Sequence, residues 1–306
     1  MSRCCEVGDP DKAAHLDAAA RHCLRLDDAQ RMARIDCDLW IGYGRAQDAH
    51  VRLERILRSE RRMRPDNLLV VGTSNNGKTA IARRFQARHV EPEDPEAEKS
   101  HIPVALIQAP NGPRIPQLLI AVLGALGRAP RTRRTTAQLR TEAHAAMHAV
   151  GLRLLLIDDL HNIRGPGVGA MLVELRELGS VTGVSLGCFA TREIAYVLRQ
   201  DEQLANRLEP FALPRWQIEN PDYLRLLATF ARLLPLWQPS CLTDPDLAAR
   251  ILALAGGLIG GIAMVLRRAA AEAVRTGHER IDAAMLGRID LVTPAALEDF
   301  VHAAGP

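Results

Sequence analysis

Lysine is nearly missing from this chain: of 39 basic residues only Lys12, Lys78 and Lys99 are lysine, and arginine supplies the rest. A lysine kept against that bias marks a position where arginine would not fit. The six cysteines (Cys4, Cys5, Cys23, Cys37, Cys188 and Cys241) contain no C-x-x-C pair and no regular framework, which fits a reducing compartment better than a secreted one. No apolar stretch reaches the about 20 residues of a membrane-spanning helix. The longest, residues 251–266, is broken by Gly256, Gly257, Gly260 and Gly261 and reads as helix, glycine turn, helix. The N-terminus has no charged start followed by an apolar run and a small-residue cleavage site, so no signal peptide is expected and the product is expected in the cytoplasm. There are no internal repeats and no low-complexity tracts.

Nor does one sign of charge dominate. A formal net charge of +3 is too small to name a partner, although basic residues gather at 58–64 and 128–134 and permit nucleic acid. At 306 residues and 47% hydrophobic, the chain is long enough for one large domain and a smaller one.

Residues 13–34 read as amphipathic helix, and a second helix follows Gly42, Tyr43 and Gly44. From Asn67 the pattern alternates strand and helix. Strands are expected near 68–71, 102–108, 152–157 and 184–189, with helices near 77–89, 115–126, 139–150, 168–175 and 193–198. The stretch 90–101 is acidic and proline-bearing, a solvated loop by composition. After Pro214 only helical stripes follow, through residues 222–275. The expected fold is α/β, a three-layer αβα sandwich on a parallel sheet followed by a small all-helical domain. The expected segments are 1–44, 45–214, 215–290 and a tail at 291–306.

Gly72, Thr73, Ser74, Asn75, Asn76, Gly77, Lys78 and Thr79 fit G-x-x-x-x-G-K-[ST] between an apolar strand and a helix. In such a P-loop the backbone N–H groups, through Ala80 in the first helical turn, wrap phosphates. Lys78 neutralises the β and γ oxygens, and the Thr79 hydroxyl ligates Mg²⁺. The apolar run Leu154, Leu155, Leu156, Ile157 ends in Asp158 and Asp159, delivering two carboxylates to the same sheet edge. Asp158 is expected to hold the Mg²⁺ shell; an acidic helix cap is the plainer alternative. Asp159 stands where a glutamate usually activates the attacking water, and its shorter side chain predicts slow hydrolysis.

Thr191 is either a γ-phosphate sensor or an ordinary N-cap for the helix that follows. Arg207 is either an arginine finger reaching a neighbouring subunit's nucleotide or a surface ion pair. Arg131, Arg133 and Arg134, with Thr132, Thr135 and Thr136, are either sequence-independent phosphate contacts to DNA or a solvated basic loop.

These residues, with Trp40, Ile41, Gly42, Tyr43, Arg45 and Ala46, then Leu160, His161 and Asn162 after the acid pair, and Phe211 through Trp216, resemble the TniB family of transposon-encoded AAA+ ATPases. The likeness runs over roughly residues 35–290. The family is similar to the MuB and TnsC regulators, which polymerise on DNA with ATP, mark a target and recruit or activate a DDE transposase. The resemblance implies ATP and Mg²⁺ as cofactors, duplex DNA and a TniA-like DDE transposase as partners, and self-assembly into a ring or helical filament. It also favours DNA contact by the basic loop. Two features depart from common patterns. The family usually reads Asp-Glu where this chain has Asp158 and Asp159, and Gly260 and Gly261 stand where many AAA+ proteins present a lid arginine. Two rival functions are a P-loop enzyme acting on a small molecule, such as a kinase, and a scaffold that binds ATP without turning it over.

Overall fold

The structure, a computed structural model, describes residues 13–37, 40–90, 101–128 and 134–289. The expected tail at 291–306, most of the acidic loop, and Arg131 and Arg133 lie outside the described residues. In chain order the first elements are α1 (Ala18–Cys23), α2 (Asp28–Asp36), α3 (Gly44–Arg58), β1 (Asn67–Gly72), α4 (Lys78–Ala87) and β2 (Val104–Gln108). Next come α5 (Ile115–Ala125), α6 (Thr136–Ala149), β3 (Leu154–Asp158), a 3₁₀ turn at Leu160–Asn162, α7 (Val168–Thr182) and β4 (Ser185–Ala190). The remainder is α8 (Ile194–Leu198), α9 (Glu202–Ala205), β5 (Leu208–Leu213), α10 (Pro221–Leu233), α11 (Pro245–Ala255), α12 (Ile259–Arg275) and α13 (Ala283–Leu286). They fall into two compact units: Gly44–Pro214, and the described parts of residues 1–43 together with those of 215–306.

The first unit is built on a five-stranded parallel sheet in the order β2-β3-β4-β1-β5. Every residue of β3 and β4 is buried, as a parallel sheet covered on both faces requires. Side-chain alternation sends Leu69, Ile107, Leu155, Ile157, Leu186 and Cys188 into one core with Leu118 and Val122 of α5, Met147 of α6 and Leu172 of α7. The opposite face packs on α3 and α4. Gly187 lies there because an added Cβ would stand 2.6 Å from Leu156 Cδ2 and 3.1 Å from Leu53 Cδ2. The three-layer αβα arrangement is thus the one the sequence pattern implies.

The fifth strand, β5, is absent from the sequence reading because Pro210 interrupts its apolar run. A proline has no N–H for a sheet ladder, so such a strand belongs at an edge, and β5 is an edge strand.

In the second unit, residues 13–34 form two helices rather than one. Asp17 accepts from Ala20 N at 2.7 Å and Asp27 from Gln30 N at 2.8 Å, so each aspartate caps its own helix start. Tyr223, Phe230, Ile251, Ile262 and Leu266 make a core that includes Ile35 and Ile41. Axes α11 and α12 turn by 115° at Gly256 and Gly257, with φ of 60° and 69°. Gly261 allows this close turn: a Cβ there would stand 2.5 Å from the Ala255 carbonyl oxygen. Arg31, buried at 3% exposure, donates to both Glu279 oxygens at 3.0 and 2.6 Å and to Asp28 at 2.8 Å. Among the described residues, no single helix is long and apolar enough to cross a membrane.

Candidate nucleotide site

At the C-terminal edge of the sheet β1 ends in Gly72, and the chain turns through Thr73, Ser74, Asn75, Asn76 and Gly77 into α4. Two left-handed residues make the turn: Gly77 at φ 83° and Asn75 at φ 60°, asparagine being among the few side chains that tolerate that region. Gly72 must be glycine because an added Cβ would meet Leu213 Cβ at 3.0 Å and its carbonyl oxygen at 3.2 Å. Buried Asn76 fastens the loop to β5, donating Nδ2 to Leu213 O at 2.9 Å and Pro214 O at 3.0 Å.

Gly77 caps α4 without a side chain, so no side-chain acceptor is spent on the first-turn N–H groups at the positive end of the helix dipole. That is a site for an anion. Lys78 is buried to 6% exposure and curls over the loop, donating Nζ to Gly72 O at 3.0 Å and Thr73 O at 2.8 Å. Burial lowers its pKa, against the attraction of Asp159, Asp158 and Glu193. The Thr73 hydroxyl oxygen beside it is buried with no hydrogen-bond partner among the described residues.

Thr79, the next residue on α4, donates its hydroxyl to Asp158 Oδ2 at 2.6 Å. The other Asp158 oxygen accepts from Asp159 N at 3.0 Å. Burial pushes the Asp158 carboxyl above its ordinary pKa; the Thr79 hydrogen bond opposes this. One hydroxyl and one carboxylate, both hard oxygen donors, fit Mg²⁺, which keeps several waters and takes phosphate oxygens to fill its octahedron. Among the described residues no group of three or more His, Cys, Asp or Glu side chains forms a protein-only metal cage.

Asp159 is half-buried in a left-handed conformation, φ 54°, and accepts from Gln108 Nε2 at 3.2 Å. Gln108 is the last residue of β2, in register with Asp158. Thr191 follows β4 at the same edge. It is not the side-chain cap of α8; its hydroxyl donates to Glu193, and its N–H donates to His161 Nδ1 at 3.3 Å, which puts the ring proton on Nε2. The Thr191 bond holds the Glu193 carboxyl below its ordinary pKa, and burial lowers that of His161. The sequence reading gave Gln108, His161 and Glu193 no role at the site. Its available signal was position, since each lies at or just beyond a strand's C-terminal end.

Arg207 is not part of this cluster. It precedes β5, whose register pairs Leu208 with Asn67 and Leu213 with Gly72, so Arg207 stands at the opposite edge of the sheet from the loop. Its Nη1 donates to Ser180 Oγ at 2.8 Å, a neutral partner rather than the surface ion pair considered from sequence. Arg134, the one described arginine of the expected DNA-contact set, pairs with Glu142, and Thr135 caps α6 in a reciprocal box with Gln138.

A family model described as "Bacterial TniB protein" matches residues 31–218. A search of the curated proteins found no match. Among solved structures the chain is similar to the ORC2 protein of Aeropyrum pernix in ADPNP and ADP complexes, with TM-score 0.61 at 15% identity over 83% of this chain and 69% of that one. The ORC1 protein of the same organism in complex with DNA aligns with TM-score 0.59 at 20% identity over 88% and 69%. Cdc6p from Pyrobaculum aerophilum aligns with TM-score 0.54 at 12% identity over 83% and 66%. At such identities the likeness is one of fold alone.

Proposed function

Because the chain belongs to the TniB family, we propose that it is an ATPase whose ATP-bound form assembles on duplex DNA with little regard to sequence, regulating transposition by marking the target and recruiting or activating a DDE transposase. The observation that carries the nucleotide half of this reading is the 2.6 Å contact between Thr79 and Asp158 directly under an uncapped helix start. Gly72 through Ala80 bind the phosphates, and Lys78 exchanges its two carbonyl partners for phosphate oxygens. Thr79 and Asp158 would hold Mg²⁺, which would supply positive charge toward the phosphates. Asp159 accepts the proton of the attacking water; its short side chain makes the step slow. Thr191 reads the γ-phosphate when its hydroxyl leaves Glu193. Arg207 acts on the nucleotide of an adjacent copy, which its place on the far sheet edge favours. Arg131, Arg133 and Arg134 contribute phosphate contacts to DNA.

The test is duplex-DNA binding by fluorescence anisotropy with ATP, with ADP, and with ATP on Lys78→Ala, over a salt series. Binding that needs ATP, weakens steeply with salt and disappears in Lys78→Ala supports the switch. Absence of DNA binding in every nucleotide state sinks it and leaves the small-molecule enzyme or the ATP-binding scaffold.

A further inference from the structure

At the sheet edge opposite the phosphate loop lies an open pocket of about 600 Å³, lined by Arg55, Arg64, Asp66, Asn67, Arg207 and Glu209 among others. Three guanidiniums against two carboxylates leave its lining net cationic. The guanidiniums are not equivalent. Arg55 is committed to Glu209 at 2.5 Å, and Arg207 is steadied by Ser180. Arg64 is exposed and has neither an ion pair nor a hydrogen bond among the described residues.

The base of this pocket is rigid. Asn67, 4% exposed, donates Nδ2 to Arg207 O at 3.3 Å while its Oδ1 accepts from Leu186 N at 2.8 Å. One buried amide thus fixes the start of β1 to the backbone of Arg207 and to β4. Pro65, also buried, sits between exposed Arg64 and Asp66 and fixes the chain direction there.

The geometry points to a phosphate-binding site in which Arg64 is a second guanidinium beside Arg207, receiving the terminal phosphate of ATP held by the loop of another copy of this chain. The inference rests on the proposed placement of nucleotide between copies and extends it to a residue outside every motif. A guanidinium with no partner of its own gives up no existing bond when it meets a phosphoryl oxygen, and two forks can hold two of the three γ-oxygens. A duplex backbone offers the same phosphoryl chemistry, so the test separates the two sources.

Arg64→Ala and Lys78→Ala are each prepared as full chains and assayed alone and mixed, with thermal unfolding as the folding control. Arg64→Ala is expected to bind a fluorescent ATP analogue as the unaltered chain does, yet turn over ATP at least about tenfold more slowly. Mixed in equal amounts, the two variants are expected to recover up to about a quarter of full turnover, since a sound loop on one chain then meets a sound pocket on another. Arg64→Lys, which keeps charge but loses the fork, is expected to fall between. Full turnover by Arg64→Ala, or no recovery on mixing, overturns the assignment. So does unchanged DNA-free turnover coupled to weaker DNA binding and a salt slope smaller by about one, which would give the pocket to a DNA phosphate. An unaltered chain that neither assembles with ATP nor hydrolyses it fails before any substitution is made, and overturns the underlying reading together with this one.

Discussion

Gln108 Nε2 lies 3.2 Å from Asp159 Oδ2, so the carboxylate proposed to activate water is held by an amide from the neighbouring strand end. A carboxylate lone pair given to that amide is not open to the attacking water. Gln108→Ala is therefore expected to raise basal ATP turnover; a bond of roughly 1 kcal/mol corresponds to about fivefold. Steady-state phosphate release without DNA measures it, and a fall in turnover would show that the amide aids the acid instead.

Asp159→Asn tests the acid itself. Asparagine tolerates the left-handed backbone at φ 54° as aspartate does, so the substitution removes the base and leaves the turn. Turnover is expected to drop by about 10²-fold or more, with fluorescent-nucleotide affinity unchanged. Turnover equal to that of the unaltered chain would remove Asp159 from the reaction.

In the helical unit Arg31 holds Glu279, itself left-handed at φ 59°, and Glu279 also accepts from Trp237 N at 3.1 Å. Removing the guanidinium leaves a largely buried carboxylate without its counterion, a loss of about 3 kcal/mol. Arg31→Met should show it as a lower urea midpoint at unchanged slope, whereas the double variant with Glu279→Gln should recover part of the loss.

Asp282 caps α13 through Met285 N at 2.9 Å and accepts from His278 at 2.6 Å. Burial opposes its ionisation, but these bonds and the nearby Arg280 win and push its pKa down to about 2. A carboxyl depressed on folding stabilises above its ordinary pKa and loses that stabilisation as pH falls toward 2. Asp282→Ala should cost about 1 kcal/mol near neutrality. Its Tm difference from the unaltered chain should shrink between about pH 4 and pH 2; a difference independent of pH would contradict the assignment.

The phosphate loop was legible because strand, turn and helix start are contiguous, and each residue type there has a local reason. Asp158 was legible as the end of an apolar run. Gln108 was not, since its meaning depends on β2 lying beside β3, a neighbour relation that no local pattern carries. Asn67 reads as an ordinary polar residue, and Asn76 as a variable position of the phosphate loop, until β5 is beside β1, and β5 was hidden by Pro210. Residues 13–34 kept a helical period across two helices because Asp17 and Asp27 interrupt the backbone without disturbing the apolar spacing. The glycines at 260 and 261 looked like a missing arginine. For Gly261 the reason is space, because the Ala255 carbonyl occupies the room any side chain would need.

Both ends of β5 are fastened to the β1 segment by asparagine: Asn67 grips the carbonyl of Arg207 at one end, and Asn76 grips those of Leu213 and Pro214 at the other. A strand of six residues, roughly 20 Å long, stretches little along its axis. It behaves as a connecting rod, so a load applied to Arg207 from outside the chain arrives at the phosphate loop as displacement rather than dissipating in the sheet.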